Sequence, residues 1–357
     1  RPADSKKTLQ PAASSAHLVA SADGAYKEAN ETTYIDSAID SDPSTYWQSA
    51  SADLKNAYYQ LDFAQKHTFN QIRYVPRYDA NAQYNCTGAI KVLQIEAKKD
   101  DGNYETVAVI GNKENPEVLY GTYTLGTAVT SDSVRFTALS SHFWKVGGNQ
   151  YMNIAELDVM DAAGNSFVHP VTPKVSLEAS SNDASERSDI KNAIDQDKTT
   201  FWVSTAEKPL SEQYFQINFD RNVVVQTVDY TPRWYDGPAN YYNCTGRILG
   251  YEIQVLDGET WKTAASGSFT DGQNEKPAAV VFENSAVTSA VRIKATSSYH
   301  WEDININKYM NIGDIDVFDP DGNSLIHPSS DTPVTPEPSE SQWKVTGNSV
   351  STNGGDG

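Results

Sequence analysis

The sequence says nearly everything twice. AIDSDPSTYW at Ala38–Trp47 returns as AIDQDKTTFW at Ala193–Trp202. YMNIAELDVMDAAGNSFVHP at Tyr151–Pro170 returns as YMNIGDIDVFDPDGNSLIHP at Tyr309–Pro328. The two cysteines, Cys86 in YNCTGAI and Cys244 in YNCTGRI, stand 158 residues apart, and Trp47 and Trp202 stand 155 apart. Offsets that drift so little require one fold, duplicated, with small loop insertions. The copies run over 11–170 and 171–328, behind a leader or linker at 1–10, and two domains of ordinary size suit a chain of 357 residues.

Within each copy the apolar period is two. YYQLDFA, FNQIRYVPR, VLQIEAK, SVRFTALS and NIAELDVMD read as strands in the first copy. YFQINF, VVQTVDYTPR, YEIQVLD, AVRIKATS and NIGDIDVFD answer them in the second. Asp, Gly, Asn and Ser turns such as KDDGN and LDGET separate the runs. Many short strands without a long amphipathic helix predict an all-β chain of two tandem β-sandwich jelly rolls. Beyond Pro328 the sequence becomes Pro/Ser/Thr-rich over 329–341, the composition of a linker. Residues 342–357 then read either as the start of a further, truncated domain or as a disordered tail.

Charge narrows the partners. Lys and Arg number 28 against 47 Asp and Glu, a net charge of -19. Such a field repels nucleic acid and anionic lipid and attracts cations such as calcium. No apolar run reaches the length of a membrane span, so membrane insertion is not expected. One cysteine per copy cannot staple either copy, and the plainest expectation is two small packed thiols. A bridge between the copies is the alternative, and Asn85-Cys86-Thr87 fits a glycosylation sequon.

Two constellations could carry chemistry. Asp40, Asp42 and Thr45 fall within six residues and offer hard oxygen ligands of the kind calcium takes, repeated as Asp195, Asp197 and Thr200. An Asx turn without metal explains the same pattern, unless the fold brings in a later acid, Glu156 or Asp314. The second constellation follows each PR pair. Arg77 stands with Asp79, Asn81, Tyr84 and Asn85; Arg233 stands with Trp234, Asp236, Asn240, Tyr241 and Asn243. Aromatic faces pack on the C–H face of a sugar ring, while Arg and Asn bridge vicinal hydroxyls, so these loops suit a neutral sugar. Trp144 and Trp301, each in a polar setting after a strand, are candidates to join them. G-x-S-x-G, H-E-x-x-H and phosphate-loop motifs do not occur, so an enzyme is not expected.

Taken in order, A-I-D-x-D-x-x-T-x-W, the strand ending in PR with its Asp/Asn loop and G-x-I, and the closing A-E-L-x-V strand resemble the coagulation factor V/VIII type C, or discoidin, family. Within that family the sequence is similar to the bacterial carbohydrate-binding modules of family 32. The resemblance implies an eight-stranded jelly roll with one structural calcium ion per domain and a shallow sugar site at one end. It implies that Asp40, Asp42, Thr45 and Glu156 hold calcium with main-chain oxygens of Ser37 and Ala155. In the second copy Asp195, Asp197, Thr200 and Asp314 would do so with Asn192 and Gly313. Galactose-binding members place a His just after T-x-W, where this chain has Gln48 and Val203, so galactose itself is not implied over other neutral sugars.

The expectation is therefore a monomeric, non-catalytic glycan-binding tandem from a secreted or cell-surface protein of bacterial type, with a glycoside hydrolase among the candidate parents. A cell-surface adhesin for a protein or lipid partner is the alternative.

Overall fold

The computed structural model describes residues 18–22, 27–28, 31–32, 34–50, 54–77, 87–114, 117–143, 151–186, 188–197, 199–233, 245–269, 278–300, 308–327 and 344–345. It is all-β and divides into two compact units, the first made of Arg1–Val171 together with Asp331–Gly357 and the second of Thr172–Ser330.

In the first module the strands lie side by side in the order Leu18–Ala22, Tyr59–Val75, Gly121–Ser141, Ile90–Lys98, Tyr104–Ile110, every neighbouring pair antiparallel. Glu156–Met160 pairs with the far half of Tyr59–Val75, setting Glu156 opposite Val75. The second module repeats this order with Val175–Ala179, Phe215–Thr231, Ala278–Ser298, Ile248–Asp257 and Thr260–Ser268, and Asp314–Phe318 takes the place of the closing strand. Lys344–Val345 pairs in parallel with Leu18–Ala22.

Two segments that read as separate strands, YYQLDFA and FNQIRYVPR, are one strand of 17 residues. Its partner, of which SVRFTALS is only a part, runs for 21. Both exceed the usual strand length because register shifts between Asp62 and His67, and again between Phe69 and Gln71, bend the ladder instead of ending it. The first half of Tyr59–Val75 thus pairs with Leu18–Ala22 and its second half with Glu156–Met160. Equivalent shifts, between Asn218 and Val223 and between Val225 and Thr227, bend the second copy.

The repeated tryptophans are core. Trp47 lies 5.1 Å from Tyr59, and Trp202 lies 5.1 Å from Phe215, ring centre to ring centre, and all four rings are buried.

Candidate functional site

Each loop after the PR pair is tied at its root by one buried asparagine. In the first module Asn153 Oδ1 accepts the Arg77 N–H at 3.0 Å, while its Nδ2 donates to the Thr87 carbonyl at 2.6 Å. One side chain thus fastens both ends of the intervening segment. Its own carbonyl accepts the Tyr74 hydroxyl at 3.0 Å, and that hydroxyl accepts the Ile90 N–H at 2.9 Å. In the second module Asn311 holds Arg233 N–H (2.9 Å) and the Thr245 carbonyl (2.6 Å), and Tyr230 bridges Asn311 and Ile248. Asn153, Asn311 and Tyr74 are fully buried, so each bond is made in a medium where losing it is expensive.

This clamp explains the glycine of YNCTG. Gly88 and Gly246 adopt φ of +89° and +88°, a region that favours glycine. A Cβ on Gly88 would stand 2.6 Å from Asn153 Nδ2, and one on Gly246 would stand 2.7 Å from the Tyr309 ring. The asparagine of YMNI carries no local signal of this role, because its partners lie some 66 to 81 residues away.

With its main chain clamped, each arginine lies over an aromatic ring. The Arg77 guanidinium sits 4.2 Å from the Tyr46 ring centre, with Nη1 3.5 Å from Gln48 Oε1. The Arg233 guanidinium sits 3.9 Å from the Phe201 ring centre. The position beside the aromatic is Gln48 in one module and Val203 in the other, so the first arginine shelf is the more polar. A guanidinium stacked on a ring keeps its N–H fork in a plane along the ring, a geometry that reads paired oxygens, and in the second module its Nε is buried. The other expected contacts, Asp79, Asn81, Tyr84, Asn85, Trp144, Trp234, Asp236, Asn240, Tyr241, Asn243 and Trp301, lie outside the described residues, as do Cys86 and Cys244.

The acidic segment assembles much as its oxygen donors suggest. Asp40 Oδ2 accepts the Thr45 hydroxyl at 2.6 Å and Oδ1 accepts the Asp42 N–H at 2.8 Å. The Asp42 carboxylate turns to Ser44, and it is the Asp42 carbonyl that meets Thr45. Ser41, between the two acids, is held at φ +63°, and its N–H reaches Glu156 from across the module. Non-glycine residues sit there only when their surroundings hold them. The second copy holds Gln196 at φ +59° with its N–H 3.3 Å from Asp314 Oδ1, and Asp195 accepts Thr200 at 2.6 Å. Asp197, like Asp42, turns its carboxylate to the next hydroxyl, Thr199. Ser37 and Ala155 are buried, and Asn192 spends its amide on the Phe201 carbonyl.

Glu156 Oε1 is buried without a hydrogen-bond partner. Burial, then the Asp40 charge, pushes the Glu156 carboxyl up to about 8, while burial pushes Asp314 to about 6. Two neighbouring carboxylates, one with an orphaned oxygen, make a site whose negative charge Arg73 offsets only in part. Among the described residues no three His, Cys, Asp or Glu side chains converge on one point. Any cation would therefore rely on the hydroxyl and on main-chain oxygens beside two carboxylates, which calcium accepts and transition metals do not favour.

A search of curated proteins finds none that matches. Among solved structures, a fucolectin from striped bass (Morone saxatilis) serum is 16% identical, covering 85% of this chain and 96% of its own at a TM-score of 0.51. The family 32 module of Clostridium perfringens NanJ, solved with galactose, is 19% identical over 40% of this chain and 92% of its own, at 0.33. The paired CBM32-1 and CBM32-2 domains of Clostridium perfringens ZmpB are 14% identical over 85% and 92%, at 0.31. The likeness to the fucolectin is one of fold. The F5/8 type C domain model matches residues 14–157 and again 176–310, covering both modules, and the chain belongs to that family.

Proposed function

We propose that the chain is a non-catalytic carbohydrate-binding tandem that attaches a secreted or cell-surface protein to complex glycans. The observation that carries this reading is the duplicated arginine shelf. In both modules a guanidinium is stacked on an aromatic ring at the root of a loop rich in Asn, Asp and aromatics, and a buried asparagine fixes its main chain. An open shelf of one stack and a few hydrogen bonds suits a neutral sugar and binds weakly, on the order of 0.01–1 mM. Two such sites on one chain gain about 10²–10⁴ on a multivalent surface when both can engage. Family membership supports the reading, and the fucolectin shows that the fold can serve a lectin. Among the described residues no helix is long and apolar enough to cross a membrane.

A glycan array probed with the full chain tests this. Arg77→Ala and Arg233→Ala are each expected to lower retention, and the double variant to abolish it. Each should cost no more than about 1–2 kcal/mol of stability, the worth of one partly buried cation–π contact. Retention of no glycan by the wild-type chain would sink the proposal and favour the adhesin alternative.

A further inference from the structure

The two modules share a backbone frame but differ at one buried position beneath it. Gln213 is fully buried in the second module, and its side-chain amide ties the turn before it to a segment 95 residues further on. Nε2 donates to the carbonyls of Lys208 at 2.7 Å, Thr205 at 3.0 Å and Lys308 at 3.1 Å, while Oε1 accepts the Ser204 hydroxyl. Both hydrogens of the amide are thus spent on main chain. Ser204 also holds Met310, its Oγ accepting the Met310 N–H at 3.0 Å and its own N–H donating to the Met310 carbonyl at 3.0 Å. Tyr309 sets its ring 6.0 Å from that of His300, edge to face, and Asn311 is the clamp of Arg233 and Thr245. Each residue of Lys308–Asn311 therefore has its own anchor. The first of them, Lys308, closes the segment 301–307 that follows His300.

Ala57 stands at this position in the first module. Its N–H donates to the Leu54 carbonyl at 3.2 Å as that of Gln213 donates to Leu210 at 3.0 Å. Each residue also lies two before the start of a long strand, at Tyr59 or at Phe215. The surroundings are otherwise alike. Ser49 Oγ accepts the Met152 N–H at 3.1 Å, and the Phe143 and Tyr151 rings lie 6.3 Å apart where those of His300 and Tyr309 lie. Ala57 is buried as well, but its side chain carries neither donor nor acceptor. One module closes the same frame without the amide, so folding alone does not call for it.

What Gln213 supplies is position. Lys208 and Lys308 are exposed and Thr205 is half-buried, so their carbonyls can turn to water once the amide is gone. While the amide is present, the segment carrying Trp301 ends at a fixed point on the sandwich. A binding segment that is already ordered avoids the ordering cost that otherwise opposes association. We propose that Gln213 is a positioning residue, which presets the Trp301 segment and makes the second module the tighter glycan binder of the two. Fully buried, it acts through Lys308 and not by contact with a sugar. This inference rests on the glycan-binding reading above and assigns the two modules unequal affinities.

Hydrogen exchange on the full wild-type chain tests the hold directly. Amides over 302–310 are expected to exchange about tenfold more slowly than those over 145–152. Gln213→Leu, close in volume but without the amide, should abolish that difference while Phe215–Thr231 stays as protected as before. Affinity tests the consequence. Arg77→Ala leaves the second module to be read and Arg233→Ala the first, each chain titrated with the glycan that the array retains most strongly. The second module is expected to bind about tenfold more tightly, the scale of one or two side chains that no longer need ordering. Adding Gln213→Leu should remove most of that advantage. Equal exchange in the two wild-type segments overturns the proposal, and so does an affinity that Gln213→Leu leaves unchanged. Loss of protection through Phe215–Thr231 in that variant, or its failure to fold, also overturns it by showing that Gln213 holds the sandwich. These outcomes leave the arginine shelf intact, whereas retention of no glycan on the array overturns both.

Discussion

Replacing Asn153 or Asn311 by alanine is expected to destabilise its module by about 2–5 kcal/mol, the largest loss from any single polar side chain described above. The reason is the number of groups left behind. Removing Asn153 strands the Arg77 N–H and the Thr87 carbonyl, and each buried unpaired group costs about 1–3 kcal/mol. The Asn311 variant strands Arg233 and Thr245 in the same way. For a module of this size the melting point should fall by roughly 5–15 °C. Asparagine to aspartate should not rescue it, since the carboxylate loses the donor to Thr87 and brings a buried charge. Tyr74→Phe removes only the hydroxyl that links Asn153 to Ile90, so it should cost less, about 1–3 kcal/mol. If the alanine variants melt within a degree or two of wild type, the loop ends have other partners and the clamp is not what fixes them. The functional consequence is separable. A destabilised but folded variant should lose glycan retention at temperatures where the sandwich persists, because the shelf loses its register before the core opens.

The parts of this molecule that the sequence made legible are those whose partners lie close along the chain or are repeated in it. The duplication appears in the text itself, and strand positions follow from alternation. The Asp40–Thr45 pairing is local: five residues apart, closed by one hydrogen bond. The acid that completes the cluster, Glu156, was reachable because its strand closes each copy. What stayed hidden was long-range. Asn153 looks like any polar residue opening a strand, and its value depends on Arg77 and Thr87 being brought to it by the sheet. The single bent strand Tyr59–Val75 was read as two because a bulge interrupts alternation just as a turn does. The fate of the Asp42 carboxylate was also invisible, since Asx turns and metal ligation use the same residues at the same spacing.

Calcium is expected to raise the melting temperature of the chain, and EDTA to reverse the increase, with the first module responding more. We propose one calcium ion per module, held by Asp40, Thr45 and Glu156 in the first and by Asp195, Thr200 and Asp314 in the second, with main-chain oxygens completing each shell. The physical motive is the orphaned Glu156 oxygen beside a second carboxylate. A cation there satisfies the oxygen and offsets the burial penalty, and then the Asp40 repulsion, that hold the carboxyl up near 8. At a free concentration of 100 times the dissociation constant, binding to the folded state alone stabilises by about 2.7 kcal/mol. That corresponds to a rise of roughly 5–10 °C for a module of this size. The second module should gain less. Asp314 is one methylene shorter, and Asp195 is exposed where Asp40 is half-buried. Glu156→Gln separates metal binding from mere packing. In chelator the amide mimics the protonated carboxyl that burial favours, so it should melt close to wild type. In calcium it should miss most of the increase, because a neutral amide is a weaker ligand than a carboxylate. Calorimetry of both proteins, with and without calcium, reads the two effects in one experiment. Equal calcium responses in wild type and Glu156→Gln would show that the orphaned oxygen is not a ligand, and no response in either would remove the metal from the site.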